Sequence, residues 1–121
     1  ITMQHIELGQ LGEDLAAQYL TLKNFEILER NYKWGKSEID LICKRDNLLV
    51  VVEVKTRQTE VYGQPFEAVT KSKQRQIIKV TNRYIEENDV ELEVQFDVVS
   101  IVKNQYQTKI DHIESAFYPL G

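Results

Sequence analysis

A chain of 121 residues with 42% apolar and 28% charged side chains can bury roughly two thirds of its unfolded surface, as a single domain over residues 1–121. It holds no run of about 18 apolar residues, which excludes a membrane-spanning helix, and its single cysteine, Cys43, excludes an internal disulfide or a cysteine-cluster zinc site. The net charge of −4 argues against a general nucleic-acid coat but leaves room for a local basic surface.

The start is polar and acidic and lacks the apolar stretch of a secretory signal, so a cytoplasmic setting is expected. Leu8, Leu11, Leu15, Tyr19 and Leu22 recur at helical spacing and predict a first helix from about Glu7 to Leu22. Asp14, Gln18 and Thr21 fall on its polar side. Glu13 lies at the edge of a small-residue surface made by Gly9, Gly12, Ala16 and Leu20, and either looks inward or merely complements the helix dipole. Asn24 ends the helix. Glu26 to Tyr32 then alternates as a strand, Lys33 to Lys36 with Gly35 form a loop, and Ser37 to Lys44 is a second strand.

Val50 to Val54 is the strongest strand signal in the chain, yet it carries Glu53 and runs into Lys55 and Arg57. In strand geometry Glu53 and Lys55 share a face with Leu49 and Val51, while Val50, Val52 and Val54 fill the other. Burying such a pair is costly unless the charges are matched or hold a metal. Asp46-Asn47 sits where a tight hairpin turn belongs. If these are the two loop residues, Arg45 faces Leu48, and counting outward sets Asp40 opposite Glu53 and Glu38 opposite Lys55. Like charges directly opposite are destabilising by up to about 1 kcal/mol, and a cation between them would reverse that sign. Sliding the register by two instead sets Asp40 opposite Lys55 as a plain salt bridge, but it centres the turn on Asn47-Leu48, which turn chemistry disfavours.

Gln58 to Pro65 reads as a polar, mobile connection, and Phe66 to Asn88 as a second long helix packing through Ile77, Ile78, Val80, Thr81, Tyr84 and Ile85. Lys71, Arg75, Lys79 and Arg83 follow one another at steps of four, with Lys73 beside them and no acid between Ala68 and Ile85. This is either a solvated helix face or a stripe that neutralises backbone phosphates. Glu86 to Glu93 turns the chain. A third long strand runs from Leu92 to about Val102, Asn104-Gln105 turn it, Tyr106 to Ile110 is a short partner strand, and Asp111 to Phe117 is a closing segment. The order of elements predicts an α/β domain with a mixed β-sheet flanked by helices.

Other signals are weaker. Asp97 reads as structural, Cys43 as a core thiol, and His5 and His112 lack partners at metal-ligand spacing. Trp34 and Tyr32 beside a loop are candidates to stack on bases. No glycine-rich phosphate loop exists.

Asp40, twelve intervening residues and Glu53-Val54-Lys55 match the D…(D/E)xK pattern of restriction-endonuclease-like nucleases. Around it stand Leu11-Gly12-Glu13-Asp14-Leu15-Ala16-Ala17, Glu38-Ile39-Asp40-Leu41-Ile42, Val52-Glu53-Val54-Lys55-Thr56-Arg57, Lys73-Gln74, Phe96-Asp97-Val98-Val99 and His112-Ile113-Glu114-Ser115-Ala116-Phe117. Together, over Gly9 to Phe117, they resemble the YraN-like family of predicted endonucleases within the PD-(D/E)xK superfamily. One departure is Ser37, which stands where the family usually has glycine.

The resemblance implies a restriction-endonuclease-like core and Mg²⁺- or Mn²⁺-dependent hydrolysis of DNA; a compact nuclease with no obvious recognition domain suggests structure- rather than sequence-selective action, on branched, damaged or single-stranded substrates. It implies that Asp40, Glu53, the Val54 carbonyl and Glu13 hold the ion. Lys55 would orient or deprotonate water, Gln74 would contact the scissile phosphate or Lys55, and Arg57, Lys71, Lys73, Arg75 and Lys79 would hold the strand. A homodimer or a protein partner is compatible with it. The rival readings are a nucleic-acid-binding module of the same fold that does not cut, and a protein-interaction domain whose acids form only a solvated salt-bridge network.

Overall fold

The computed structural model describes residues 5–59 and 69–119. Helix α1 (His5–Leu22) leads into three strands, β1 (Glu26–Trp34), β2 (Ser37–Arg45) and β3 (Leu48–Arg57); helix α2 (Lys71–Asn88) follows, and β4 (Glu93–Lys103) and β5 (Thr108–Phe117) close the fold. The strands form one sheet in the order β1-β2-β3-β4-β5. Neighbours are antiparallel except β3 and β4, which run parallel over ten paired positions from Leu48–Glu93 to Arg57–Val102. A parallel pair needs a crossover, and α2 lies on it. The result is an α/β fold with a mixed sheet flanked by helices, consistent with a restriction-endonuclease-like core.

The valine run shows how the layers are built. Val50 and Val52 pack with Leu41, Cys43, Val99 and Ile101 beneath Ala16 and Leu20 of α1. Leu49 and Val51 pack with Ile42, Phe96 and Val98 beneath Ile77, Val80 and Tyr84 of α2. Strand alternation therefore divides one apolar segment between two cores. The β2–β3 hairpin closes on Arg45 and Leu48 around Asp46-Asn47, with Asp46 in the left-handed region at φ 54°, which a short polar side chain tolerates. No helix among the described residues is long and apolar enough to cross a membrane.

Several boundaries differ from the sequence reading. In α1 the fully buried line is Leu8, Gly12, Ala16 and Leu20, spaced by four, while Leu11, Leu15 and Tyr19 flank it and Leu22 is 83% exposed. The small-residue line makes the closest approach to the sheet, and Leu15 and Tyr19 pack against the same core beside it. Most of the expected 58–65 connection and the Phe66 start of the second helix lie outside the described residues. Val69 and Thr70 are not helical; Thr70 caps α2, its hydroxyl accepting the Lys73 N–H at 3.1 Å. The short partner strand and the closing segment are one continuous β5, paired with β4 from Lys103–Thr108 to Phe96–Phe117. Its alternation is broken by a register shift near Phe96 and a left-handed Ser115 at φ 51°, which hides the strand's second half from a period-two pattern.

Candidate metal centre

Acids from three elements converge at one end of the sheet. The β2–β3 ladder runs from Arg45–Leu48 to Leu41–Val52, so Asp40 and Glu53 are the next residues outward on the two strands. The facing-acid register is the one adopted. Instead of continuing the ladder, Asp40 turns its Oδ2 to accept the Val54 N–H at 2.8 Å. The break has a cause on the other side of β2. Arg30–Leu41 and Tyr32–Ile39 are paired, which sets Asn31 opposite Asp40, and Asn31 is left-handed at φ 52°. Alternation of β2 fails here, since Ile39 and Ile42 both pack on the α2 side. Counting outward from the Gly35-Lys36 turn locates Asn31 opposite Asp40, a signal present in the sequence that the strand pattern alone does not expose.

Asn31 organises the acids around it. Its amide donates to Glu13 Oε1 at 2.8 Å and to Glu38 Oε1 at 2.9 Å. One carboxylate oxygen from each of Glu13, Glu38 and Asp40 lies within 4.8 Å of the others, so these three can hold a metal ion. Glu38 is the member that residue counting assigned to Lys55; it is held instead by Asn31 and, at 3.9 Å, by Lys33. Glu13 reaches the group because α1 approaches β3 very closely. A Cβ on Gly12 would sit 2.8 Å from Thr56 Cβ and Cγ2 and closer still to Thr56 Oγ1, so only glycine admits this contact.

Glu53 stands on the buried side of the cluster at 6% exposure. Burial, then repulsion from Asp40 and a hydrogen bond with it, push the Glu53 carboxyl up to about 8, against the opposing pull of Lys73 and Lys55. Burial also drives Asp40 up to about 6; the Val54 N–H and Lys73 oppose this, while Glu13 and Glu38 add to it. Lys73, in the first turn of α2, thus acts on both carboxyls, a role the sequence reading gave only to strand binding. The donor set fits a hard divalent cation, which takes oxygen ligands and would relieve the crowding of negative charge.

The remaining candidates are spread along α2 and β3. Lys55 is near enough to Glu53 to lower its pKa. Gln74 is not brought against Lys55: its amide donates to the Val69 carbonyl at 3.1 Å. Arg57 ends β3. Lys71, Gln74, Arg75 and Lys79 line an open cavity of about 270 Å³ beside α2. Arg83 is tied to Glu87 at 2.8 Å, and Lys79 and Arg83 lie 5.6 and 6.0 Å from the Trp34 ring centre. Tyr32 is occupied too, donating to Glu87 Oε2 at 2.6 Å and meeting Tyr84 edge-on.

A second polar group escaped the sequence reading. His112 contacts Asp97 Oδ2 through Nε2 at 2.7 Å and the Tyr19 hydroxyl through Nδ1 at 3.2 Å. Asp97, fully buried, accepts also from Gln95 and from the Ser115 N–H, and Glu114 beside it binds Arg45 at 2.9 Å. Asp97, His112 and Glu114 have the spacing of metal ligands, yet each is already engaged within the protein. We read the group as a clip that joins α1, β4 and β5. It is invisible to sequence spacing because β4–β5 pairing, not proximity in the chain, brings its members together.

The "Uncharacterised protein family UPF0102" model matches residues 12–101. A UPF0102 protein of Christiangramia forsetii is 48% identical over 115 residues, covering 95% of this chain and 97% of its own. One of Flavobacterium psychrophilum is 42% identical with the same coverage, and one of Clostridium beijerinckii is 46% identical over 92% of this chain and 93% of its own. The matched span takes in α1 from Gly12, all the clustered acids, α2 and most of β4, and on that agreement the chain belongs to UPF0102, the YraN family that its motifs resemble.

Proposed function

We propose that the protein is a divalent-metal-dependent nuclease that hydrolyses DNA phosphodiesters, selecting its substrate by structure rather than by base sequence. The observation that carries this reading is the convergence of Glu13, Glu38, Asp40 and Glu53 beside Lys55 and Lys73. Hydrolysing a phosphodiester requires an anion to be neutralised and a water to be made nucleophilic near neutral pH. Glu13, Glu38 and Asp40 hold the ion, Mg²⁺ or Mn²⁺, with Glu53 completing the negative field behind them. When bound, such an ion supplies Lewis acidity at a phosphoryl oxygen and makes a nearby water more acidic. Asn31 fixes the Glu13 and Glu38 carboxylates, and the Val54 N–H fixes Asp40. Lys55 orients the attacking water and takes its proton or steadies charge on the phosphate. Lys73 adds positive charge where the phosphate arrives, and Arg57, Lys71, Arg75 and Lys79 hold the flanking strand.

The test is cleavage of branched, nicked and single-stranded DNA with Mg²⁺ and with Mn²⁺, wild type against Glu53→Ala and Asp40→Ala. Metal-dependent cutting that drops at least a hundredfold in both variants is the expected outcome, given the several kcal/mol a catalytic ion contributes. Undiminished cutting by either variant would remove the assignment.

A further inference from the structure

The cavity beside α2 has a feature that acid and base counting does not include. Its walls carry Lys71, Arg75 and Lys79, its apolar lining includes Ile78, and Asn82 and the ring of Tyr118 complete it. Tyr118 is 69% exposed. Lys71 and Arg75 are exposed and form no ion pair among the described residues, and no acid occurs from Lys71 to Ile85 in a chain of net charge −4. Lys71 and Arg75, without an ion pair among the described residues, stand beside an exposed aromatic ring, and this matches a strand with phosphates outside and bases free to stack. A duplex keeps its bases stacked inside and offers such a ring nothing. Trp34 and Tyr32 do not serve this purpose: cations lie over the Trp34 ring, and Tyr32 is bonded to Glu87 and packed on Tyr84.

We infer that this cavity receives an unpaired nucleotide of a DNA single strand, stacking its base on Tyr118 while Lys71, Arg75 and Lys79 hold the adjoining phosphates. Asn82 presents an amide that can hydrogen-bond a base edge. Gln74, in the cavity wall, neighbours Lys73, whose charge reaches Asp40 and Glu53. On the nuclease reading, a strand anchored here continues round the N-terminal turn of α2, which carries Lys73, toward the acids. The inference deepens the nuclease reading and rests on it for that destination, but the binding itself needs no cutting.

The experiment is fluorescence anisotropy with a labelled deoxythymidine oligonucleotide and a blunt duplex of equal length, in EDTA so that no metal-dependent cleavage contributes. The single strand is expected to bind more tightly. Tyr118→Ala should weaken it about tenfold, leave the duplex unchanged, and be rescued by Tyr118→Phe, which keeps the ring. Arg75→Gln should flatten the salt dependence by about one unit of log–log slope. Duplex binding as tight as single-strand binding would overturn the inference, as would a Tyr118→Ala protein that binds like wild type, or equal displacement of the strand by a polyglutamate peptide. Tyr118-dependent binding without any metal-dependent cutting would sink the nuclease reading and leave this inference standing; metal-dependent cutting with a Tyr118→Ala protein that binds the single strand like wild type would do the reverse.

Discussion

Glu53 and Asp40 behave as a strained pair whenever no cation is near. Their folded pKa values, about 8 and about 6, lie above the ordinary 4.5 and 3.8. For a carboxyl raised in this way the unfolded chain gives up its proton first. Stability is then greatest below the ordinary carboxylate range and falls as pH rises through 6 and then 8. The metal-free protein should melt at progressively lower temperature between about pH 5 and pH 8. Mg²⁺ or Mn²⁺ should restore the most stability at the alkaline end. Glu53→Gln, which removes one titration, should flatten the metal-free profile in thermal melts. A profile in EDTA that rises over this window would contradict the arrangement. His112 gives a second residue-level test. His112→Ala leaves the fully buried Asp97 without its shortest hydrogen bond, and losing a buried partner of this kind costs about 1–3 kcal/mol in denaturant unfolding. At this scale the sequence was readable where chain neighbours decide geometry. Asp40 and Glu53 follow from counting out of one hairpin. Asn31 required a left-handed backbone that strand propensity does not announce, and His112 required the pairing of β4 with β5.

Among the elements, α1 shows that the most hydrophobic stripe of a helix need not be its line of closest approach. Leu8, Leu11, Leu15, Tyr19 and Leu22 form the more hydrophobic stripe, but the sheet selects the line that allows closest approach. Gly12 and Ala16 bring the helix axis near β3 and carry Glu13 to the acids. Two glycines of the same helix make a matched test. A Cβ on Gly9 meets nothing within 4 Å, so Gly9→Ala should stabilise the protein by about 0.5–1 kcal/mol through helix propensity alone. A Cβ on Gly12 collides with Thr56, so Gly12→Ala should cost about 1–3 kcal/mol despite the same propensity gain. It should also weaken cation binding by moving Glu13, read as a smaller rise in melting temperature with Mg²⁺. The other helix was legible in its apolar periodicity and its bases, and its start was not. Thr70 capping depends on where the crossover delivers the chain.

For the whole molecule, the order of helices and strands was enough for an α/β fold with a mixed sheet, since a helix before and a helix after the valine run can cover its two faces. The strand order was not legible. Nothing local states that β4 lies beside β3 and parallel to it, because that neighbour is chosen by the length and packing of the crossover through α2. Nor do local patterns reveal that acids from α1, β2 and β3 share one sheet end. Removing a bound cation should therefore loosen α1 against the sheet as well as the site itself. Hydrogen exchange should show faster exchange in the second half of α1 in EDTA than in Mg²⁺, with β4 unaffected.

The parallel junction has a consequence for how the chain is born. Strands β1 to β3 are local neighbours, but the partner of Val50-Val51-Val52 begins at Glu93, beyond the whole crossover. During synthesis the most β-prone segment of the chain therefore waits as an open sheet edge until β4 emerges. A chain ended after Arg57 should aggregate in light-scattering assays while the full chain does not. Glu53 and Lys55, charges at the tip of that waiting edge, would then guard the nascent chain against pairing with its neighbours.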